Sequence, residues 1–245
     1  MRVGSFSTHV NEDLEKNLRG VRSLRCKSSG FTEMDPGRDT NIPTLKRVFG
    51  QGYTVCTDYG DHSSWLHSQE VPIVARHSGA WKLESQNTYK IAEMIGDGGI
   101  GNDRYLQEAR YRGKLLRHRR VVHMQTHLMA AIQGPEGRMN DTDRRWAMQE
   151  AVELIEDRIY RHQQDDAEVI LTGDWNWREV KGRRWAYSPI AVARRHNMGH
   201  FSSRLDWVLW THRHLQVNNR RVIEAGTGIN NADHDWIITD FRWKK

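Results

Sequence analysis

Apolar residues recur along this chain in two rhythms, short β-branched runs that predict strands and three- to four-residue spacings that predict helices. Residues 2–8 read as an opening strand, and 12–25 as a helix with Leu14, Leu18, Val21 and Leu24 on one face. A second strand is expected at 30–34, closed by the turn residues Asp35, Pro36 and Gly37. Residues 53–57 and 71–75 predict further strands, with Pro72 near the start of its run, where a missing N–H is tolerated. From 76 to 120 the pattern yields only a loop at Gly98, Gly99 and Gly101 and a basic stretch at 110–120. Strand character returns at 121–127 and again at 168–172, which runs straight into Gly173 and Asp174. The clearest helix is 143–159, with Trp146, Ala147, Ala151, Leu154, Ile155 and Arg158 on one face and Asn140 or Asp141 as N-cap. The last strands are expected at 205–210 and 236–243. Strands interleaved with few long helices predict an α/β layered sandwich, and without linker or repeat, residues 1–245 are expected to form one domain.

Composition changes this picture in three places. Only 37% of the 245 residues are hydrophobic and mean hydropathy is −0.80, so the ten Trp must supply much of the core. A net charge of +6 favours a polyanionic partner, with nucleic acid ahead of a charge that merely aids solubility. Cys26 and Cys56 are too few for a disulfide framework or a zinc site. With no signal-like start and no apolar run of membrane length, a monomeric cytoplasmic protein without membrane association is expected.

Five short segments carry the candidate chemistry: Phe31–Asp35, Gln125–Leu128, Gly173–Asn176, Arg204–Trp207 and Asn231–His234. Hydrolysing a phosphodiester requires neutralised phosphoryl oxygens, an aligned water and a stabilised leaving oxygen. Glu33 and Asp233 are candidate ligands for Mg²⁺, which prefers carboxylate oxygens; singly, each reads more simply as a surface carboxylate. Asp174 and Asn176, two apart after an apolar strand, would share one face if the strand continued. Asp174 could then deprotonate the attacking water while the Asn176 amide donates to phosphate, although Asp and Asn here also suit a plain turn. His234 could neutralise phosphate charge with Asp206 orienting it, and His127 could donate to an oxygen of the phosphoryl group.

Taken together and in order, these segments resemble the endonuclease/exonuclease/phosphatase superfamily, the fold of deoxyribonuclease I and the exonuclease III-type enzymes. Phe-Thr-Glu33-Met-Asp is similar to its metal-binding segment, Thr-His127-Leu to its central histidine motif, and Gly-Asp174-Trp-Asn176 to its Gly-Asp-x-Asn. Arg-Leu-Asp206-Trp and Asp233-His234 resemble the segment that orients the terminal histidine and the closing Asp-His pair. The resemblance implies a four-layered α/β sandwich of two packed mixed β-sheets flanked by helices, and a Mg²⁺-dependent site in which Mn²⁺ can substitute. Two positions depart from the pattern. Ser7 stands where the first strand of the family ends in Asn, and Ala232 where Ser often precedes Asp-His. The family's mid-chain phosphate contact has no clear match, Arg38, Arg76, Tyr105 and Tyr111 being the candidates.

Two basic stretches favour nucleic acid as substrate. Residues 110–120 carry six Arg and Lys with Tyr111 among them, and 181–187 mix Arg183 and Arg184 with Trp185 and Tyr187. For Trp185 a core position is an equal reading. The expectation is therefore a Mg²⁺-dependent nuclease acting on DNA, with Asp174 activating water. Its catalytic residues would be His127, Asp174, Asn176, Asp206 and His234, its metal residues Glu33 and Asp233. Ser7, Arg38, Tyr111, Arg183, Arg184 and Trp185 would be the substrate contacts. The alternatives are hydrolysis of an inositol or other small phosphate, and a catalytically weakened nucleic-acid-binding protein, which Ser7 motivates.

Overall fold

A computed structural model of the chain describes residues 1–8, 14–34, 41–57, 71–92, 104–128, 142–178, 185–230 and 232–244. The opening strand β1 (Arg2–Ser7) is followed by helix α1 (Leu14–Ser23), β2 (Ser28–Thr32), α2 (Asn41–Phe49), β3 (Tyr53–Cys56) and β4 (Ile73–Arg76). A long hairpin of β5 (Trp81–Ala92) and β6 (Arg104–Gly113) leads to β7 (Arg120–His127), the helix α3 (Thr142–Gln164) and β8 (Glu168–Asp174). The chain closes with α4 (Pro189–Arg195), β9 (Met198–Ser203), β10 (Asp206–Thr211), β11 (Leu215–Ile223) and β12 (Trp236–Trp243).

The strands form two six-stranded sheets, ordered β11-β12-β1-β2-β4-β3 and β5-β6-β7-β8-β10-β9. Each is mixed: β1 runs parallel to β2 and β7 parallel to β8, while the other neighbours are antiparallel. Phe6, Phe31 and Trp236 pack under Leu18, Val21, Leu45 and Val48 of α1 and α2. Val122, Met124, Val169, Leu171, Trp207 and Leu209 pack under Ala151, Val152, Ile155 and Val192 of α3 and α4. Between the sheets lie Val3, Val121, Ile170, Val208, Ile237 and Phe241. The expected four-layered sandwich is thus observed.

Period-two alternation fixes which way each strand-end residue points. Val3, Val121, Ile170, Val208 and Ile237 belong to the layer between the sheets. Counting in twos along each strand puts Ser7, His127, Asp174 and Asp206 in that same phase. Their neighbours Phe6, Trp207 and Leu171 instead face the helices. The sequence phase alone brings four candidate side chains to one rim of the interlayer.

Directly behind that rim the interlayer is polar. Tyr111 Oη donates to Ser28 Oγ at 2.8 Å, and Ser28 Oγ lies 2.5 Å from His123 Nδ1. His123 Nε2 is 2.7 Å from Thr172 Oγ1, which donates to Gln125 Oε1, and Gln125 Nε2 reaches the Phe31 carbonyl at 3.3 Å. The donor order assigns His123 as the neutral Nε2–H tautomer. Burial lowers its pKa to about 3. Because the unfolded imidazole takes up a proton near its ordinary value and the folded one does not, the native state loses stability as pH falls through this window. The slope is about 1.4 kcal/mol per pH unit from this residue. Urea midpoints at a series of pH values between 6.5 and 3 should show it, and His123→Gln should flatten the profile by one proton; an unchanged slope would refute the assignment.

The sequence pattern and the structure differ in places. Residues 76–120, illegible as sequence, hold the long strands β5 and β6, and α2, α4, β9 and β11 were not anticipated. Pro43 is accommodated in the first turn of α2, where its missing N–H costs nothing. In α3 the buried face is Ala147, Met148, Ala151, Val152, Ile155 and Ile159, whereas Trp146 (56%) and Leu154 (47%) are exposed. The expected N-cap residues Asn140 and Asp141 and the loop glycines 98–101 lie outside the described residues, as does the turn at 35–37.

Candidate active site

Glu33 follows β2 in the left-handed region at φ 57, which turns its carboxylate back toward the end of β1. There Ser7 Oγ donates to Glu33 Oε2 at 2.5 Å. Thr8 stabilises the same turn, its hydroxyl bonding the Thr32 carbonyl at 3.1 Å and the Glu33 carbonyl at 3.3 Å. Ser7 therefore orients the carboxylate, and its hydroxyl proton is committed to Glu33.

Gly173 explains why a glycine precedes the aspartate. Its φ is 148, and a Cβ there would lie 1.9 Å from the Thr126 carbonyl oxygen on β7, so no side chain fits. That close approach sets Asp174 beside His127, its register partner on the parallel strand. The expectation that Asp174 and Asn176 share an extended face is corrected. The strand stops at Asp174, Asn176 turns left-handed at φ 50, and its backbone N–H donates to Asp174 Oδ1 at 2.6 Å. The Asn176 side-chain amide donates to the Leu128 carbonyl at 2.9 Å. Turn and candidate site are one feature here, because the Asx turn occupies Oδ1 and leaves Oδ2 toward the histidines.

Asp174 Oδ2 lies 3.7 Å from His127 Nε2 and 3.8 Å from His234 Nδ1. Asp206 pairs with Asp174 across β8 and β10, and its Oδ2 bonds His234 Nδ1 at 2.8 Å. Both carboxylates are 1% exposed. Burial, reinforced by the neighbouring Asp206 charge, raises the Asp174 pKa to about 7, against the pull of His127, His234 and the Asn176 N–H. Burial likewise raises Asp206 above the usual carboxylate range, while the His234 hydrogen bond opposes it. Burial alone would lower His234; the Asp206 hydrogen bond and the charges of Asp206, Asp174 and Glu33 overcome it and push the imidazole up to about 10.

Glu33 joins two groups of potential ligands, one with Asp233 and His234 and one with His127 and Asp174, the ligand atoms of each lying within 4.8 Å of one another. Asp233 is exposed, and its carbonyl accepts from Arg204 at 3.3 Å. Two residues that belong to none of the motifs shape this corner. Asn230 is fully buried; its Nδ2 donates to the carbonyls of His234 at 2.9 Å and Ile223 at 3.0 Å, and its Oδ1 accepts from the Ala232 N–H. Asp235 accepts from Ser203 Oγ at 2.6 Å and from the Ala225 N–H at 2.9 Å. The only signal for them was polarity in a short loop, which does not distinguish an anchor from a solvated residue.

The structure thus assembles Ser7, Glu33, His127, Asp174, Asn176, Asp206, Asp233 and His234 at one rim. Tyr111 is corrected as a substrate contact: it is 1% exposed in the interlayer and bonds Ser28. Tyr105 is likewise buried, and Arg76 ends β4 beside Lys27, at the other end of β2 from Glu33. Trp185 stacks on Trp177 with centroids 5.0 Å apart and is half-buried against the core, which favours the core reading for that ring. Arg38, Arg183 and Arg184 lie outside the described residues. Among the described residues no helix is long and apolar enough to cross a membrane.

This two-sheet sandwich has the endonuclease/exonuclease/phosphatase fold, shared with solved structures that span the chain. The human Nocturnin catalytic domain with bound sulfate superposes with a TM-score of 0.68 at 16% identity, covering 100% of this chain and 93% of its own. A mannosyl-6-phosphatase of Bacteroides thetaiotaomicron gives 0.68 at 12% identity, with 99% of each chain covered. The D. rerio TDP2 structure with a single-strand DNA product gives 0.63 at 14% identity, covering 99% and 98%. No protein-family model and no curated protein sequence matches the chain.

Proposed function

We propose that the protein is a divalent-metal-dependent phosphodiesterase acting on nucleic acid, DNA in the first instance. The observation that carries this reading is the Asp174 carboxylate, buried and flanked by two histidines, with Glu33 shared between two sets of potential ligands. The donor set of Glu33 and Asp233 carboxylates fits Mg²⁺ or Mn²⁺, which favour oxygen ligands. When bound, such an ion would neutralise phosphoryl charge. The chain supplies the remainder. Asp174 Oδ2 accepts the proton of the attacking water, with a pKa of about 7 suited to a base near neutrality. His234, held by Asp206 and protonated, and His127 on the other side donate to the phosphoryl oxygens as their charge grows. The remaining N–H of the Asn176 amide is left for phosphate.

The positive charge of +6 supports a polyanionic substrate. A small phosphate is the second reading, supported by the equal TM-score of 0.68 to a sugar phosphatase. A panel of single-stranded, duplex and abasic DNA beside inositol and sugar phosphates, with Mg²⁺ or Mn²⁺, separates them. Cleavage of the oligonucleotides is expected; intact DNA with released inorganic phosphate would decide for the small substrate. Ser7→Ala should raise the Mg²⁺ concentration for half-maximal activity about tenfold, because it frees the Glu33 carboxylate to reorient. Metal titration of the turnover rate checks this, and an unchanged midpoint would remove Ser7 from the metal-holding set.

A further inference from the structure

The far edge of the first sheet carries a second site-like feature. A concavity of about 740 Å³ lies between the C-terminal half of α1 and the ends of β3 and β4. It is lined by Arg19, Arg22, Arg25, Arg76, His77 and Tyr53, with no carboxylate in its wall. Along β2, Lys27 at this edge and Glu33 at the candidate active site are six residues apart, roughly 20 Å at strand rise. The two places are separate.

Within this wall Arg19 pairs with Glu15, as several arginines elsewhere in the protein pair with a carboxylate. Arg2 pairs with Asp240, Arg47 with Glu15, Arg158 with Glu108, Arg195 with Glu156 and Arg213 with Asp166. Among the described residues Arg22, Arg25 and Arg76 have no carboxylate partner. Two of them are nevertheless held in place: Arg22 donates to the Val48 carbonyl at 2.7 Å and Arg76 to the Arg25 carbonyl at 3.4 Å. Arg25 sits just past α1 in the left-handed region at φ 54, where glycine is the usual residue. Buried beneath them, the Lys27 ammonium bonds the carbonyls of Arg76 and Ser78. Burial first, then the Lys114 and Arg76 charges, lowers its pKa to about 8. An ordinary solvated surface mixes both signs.

The feature also continues. Lys114 Nζ donates to the His77 carbonyl at 3.4 Å and also lines a second concavity with Lys82, Arg112 and Arg117, where Glu84 pairs with Arg112. We propose that the two concavities, linked through the Lys114–His77 contact, form a docking track for the phosphate backbone of a single nucleic-acid strand, apart from the proposed hydrolytic site. Exposed arginines around the half-buried Tyr53 ring, set in a concavity, suit a strand that lays phosphates on guanidinium groups and a base on an aromatic face. A flat lipid surface would instead be met by apolar side chains among the cations, and the exposed Leu115 and Leu116 of the β6–β7 turn are not in the wall of the first concavity. A compact phosphate ligand would have no use for the second basin.

The test is fluorescence anisotropy of a labelled single-stranded DNA of about 20 nucleotides, longer than the roughly 4–16 nucleotides that an OB-fold covers. It is run with the full chain in EDTA, so that binding is read without turnover and independently of whether DNA is the substrate. The charge-reversed double variant Arg25→Glu/Arg76→Glu should bind at least about tenfold more weakly, with a salt slope reduced by about 1.4 for two lost phosphate contacts. Hydrolysis of a small chromogenic phosphodiester should stay unchanged, which shows that the variant is folded. Equal affinity and slope in the two proteins overturn the proposal. An equal loss for a trinucleotide and the long strand overturns it in favour of a compact anion pocket. Loss of sedimentation with phosphatidylserine vesicles at unchanged DNA affinity overturns it in favour of a membrane surface.

Discussion

Asp174→Asn is expected to lower phosphodiester hydrolysis by about 10²- to 10⁴-fold, the usual worth of a general base, while leaving the protein at least as stable as before. The two halves of this result have one cause. Asp174 and Asp206 are register partners on adjacent strands, and both carboxylates are buried at 1% exposure. Two desolvated acids facing each other oppose folding whenever both are charged. An amide keeps the size of the side chain and its acceptor for the Asn176 N–H, but carries no charge. Activity at saturating metal and the calorimetric Tm are the measurements. Full activity in the variant would remove Asp174 from the proposed base role, and a fall in Tm with the activity would show that its carboxylate holds the fold.

Glu108→Gln should destabilise the protein by about 3–5 kcal/mol, the cost of breaking a buried ion pair from one side. Glu108 is 0% exposed on the helix-facing side of β6. It accepts from Arg158 at 3.0 and 3.2 Å and from His162 at 2.9 Å, both on α3, and the Arg158 guanidinium lies 4.3 Å above the Tyr89 ring. Burial pushes the carboxyl up, but the His162 and Arg158 hydrogen bonds outweigh it and hold the pKa below the usual glutamate value. A depressed acid contributes stability above its unfolded pKa and loses it as pH falls through the folded value. The wild-type advantage over Glu108→Gln should therefore be full at neutral pH and shrink below about pH 4.3. Urea unfolding at two pH values tests both statements; a difference under about 1 kcal/mol at neutral pH would mean that the cluster relaxes when broken.

These two clusters also show what a single sequence can and cannot reveal. β12 was legible to the residue, and β1, β7 and β8 to within two, because central strands bury apolar side chains on both faces and read as apolar runs. β5, β9 and β11 are sheet edges with largely polar, half-exposed sequences, which gives them no such run. β6 is hidden for the opposite reason: Gln107 and Glu108 are buried but satisfied by partners far away in sequence. At the candidate site the residue types were legible, since carboxylates and histidines interrupting apolar runs are conspicuous. The turns were not: the left-handed Glu33 and Asn176 and the anchoring role of Asn230 depend on which carbonyl stands nearby. Tyr111 misled because a basic neighbourhood in sequence became, on a strand, an alternation in which half-buried Arg110 and Arg112 flank a buried ring.

The strand phase that aims Ser7, His127, Asp174 and Asp206 at one rim has a consequence for how this chain can change over time. Exchanging one side chain on such a strand alters one contact, so substitutions can accumulate position by position. Deleting a single residue inside β8 would instead send Asp174 toward α3, bring Leu171 and its neighbours into the polar interlayer, and unmake site and core at once. Length variation must therefore collect in the connections between strands, while the strands drift only in spelling.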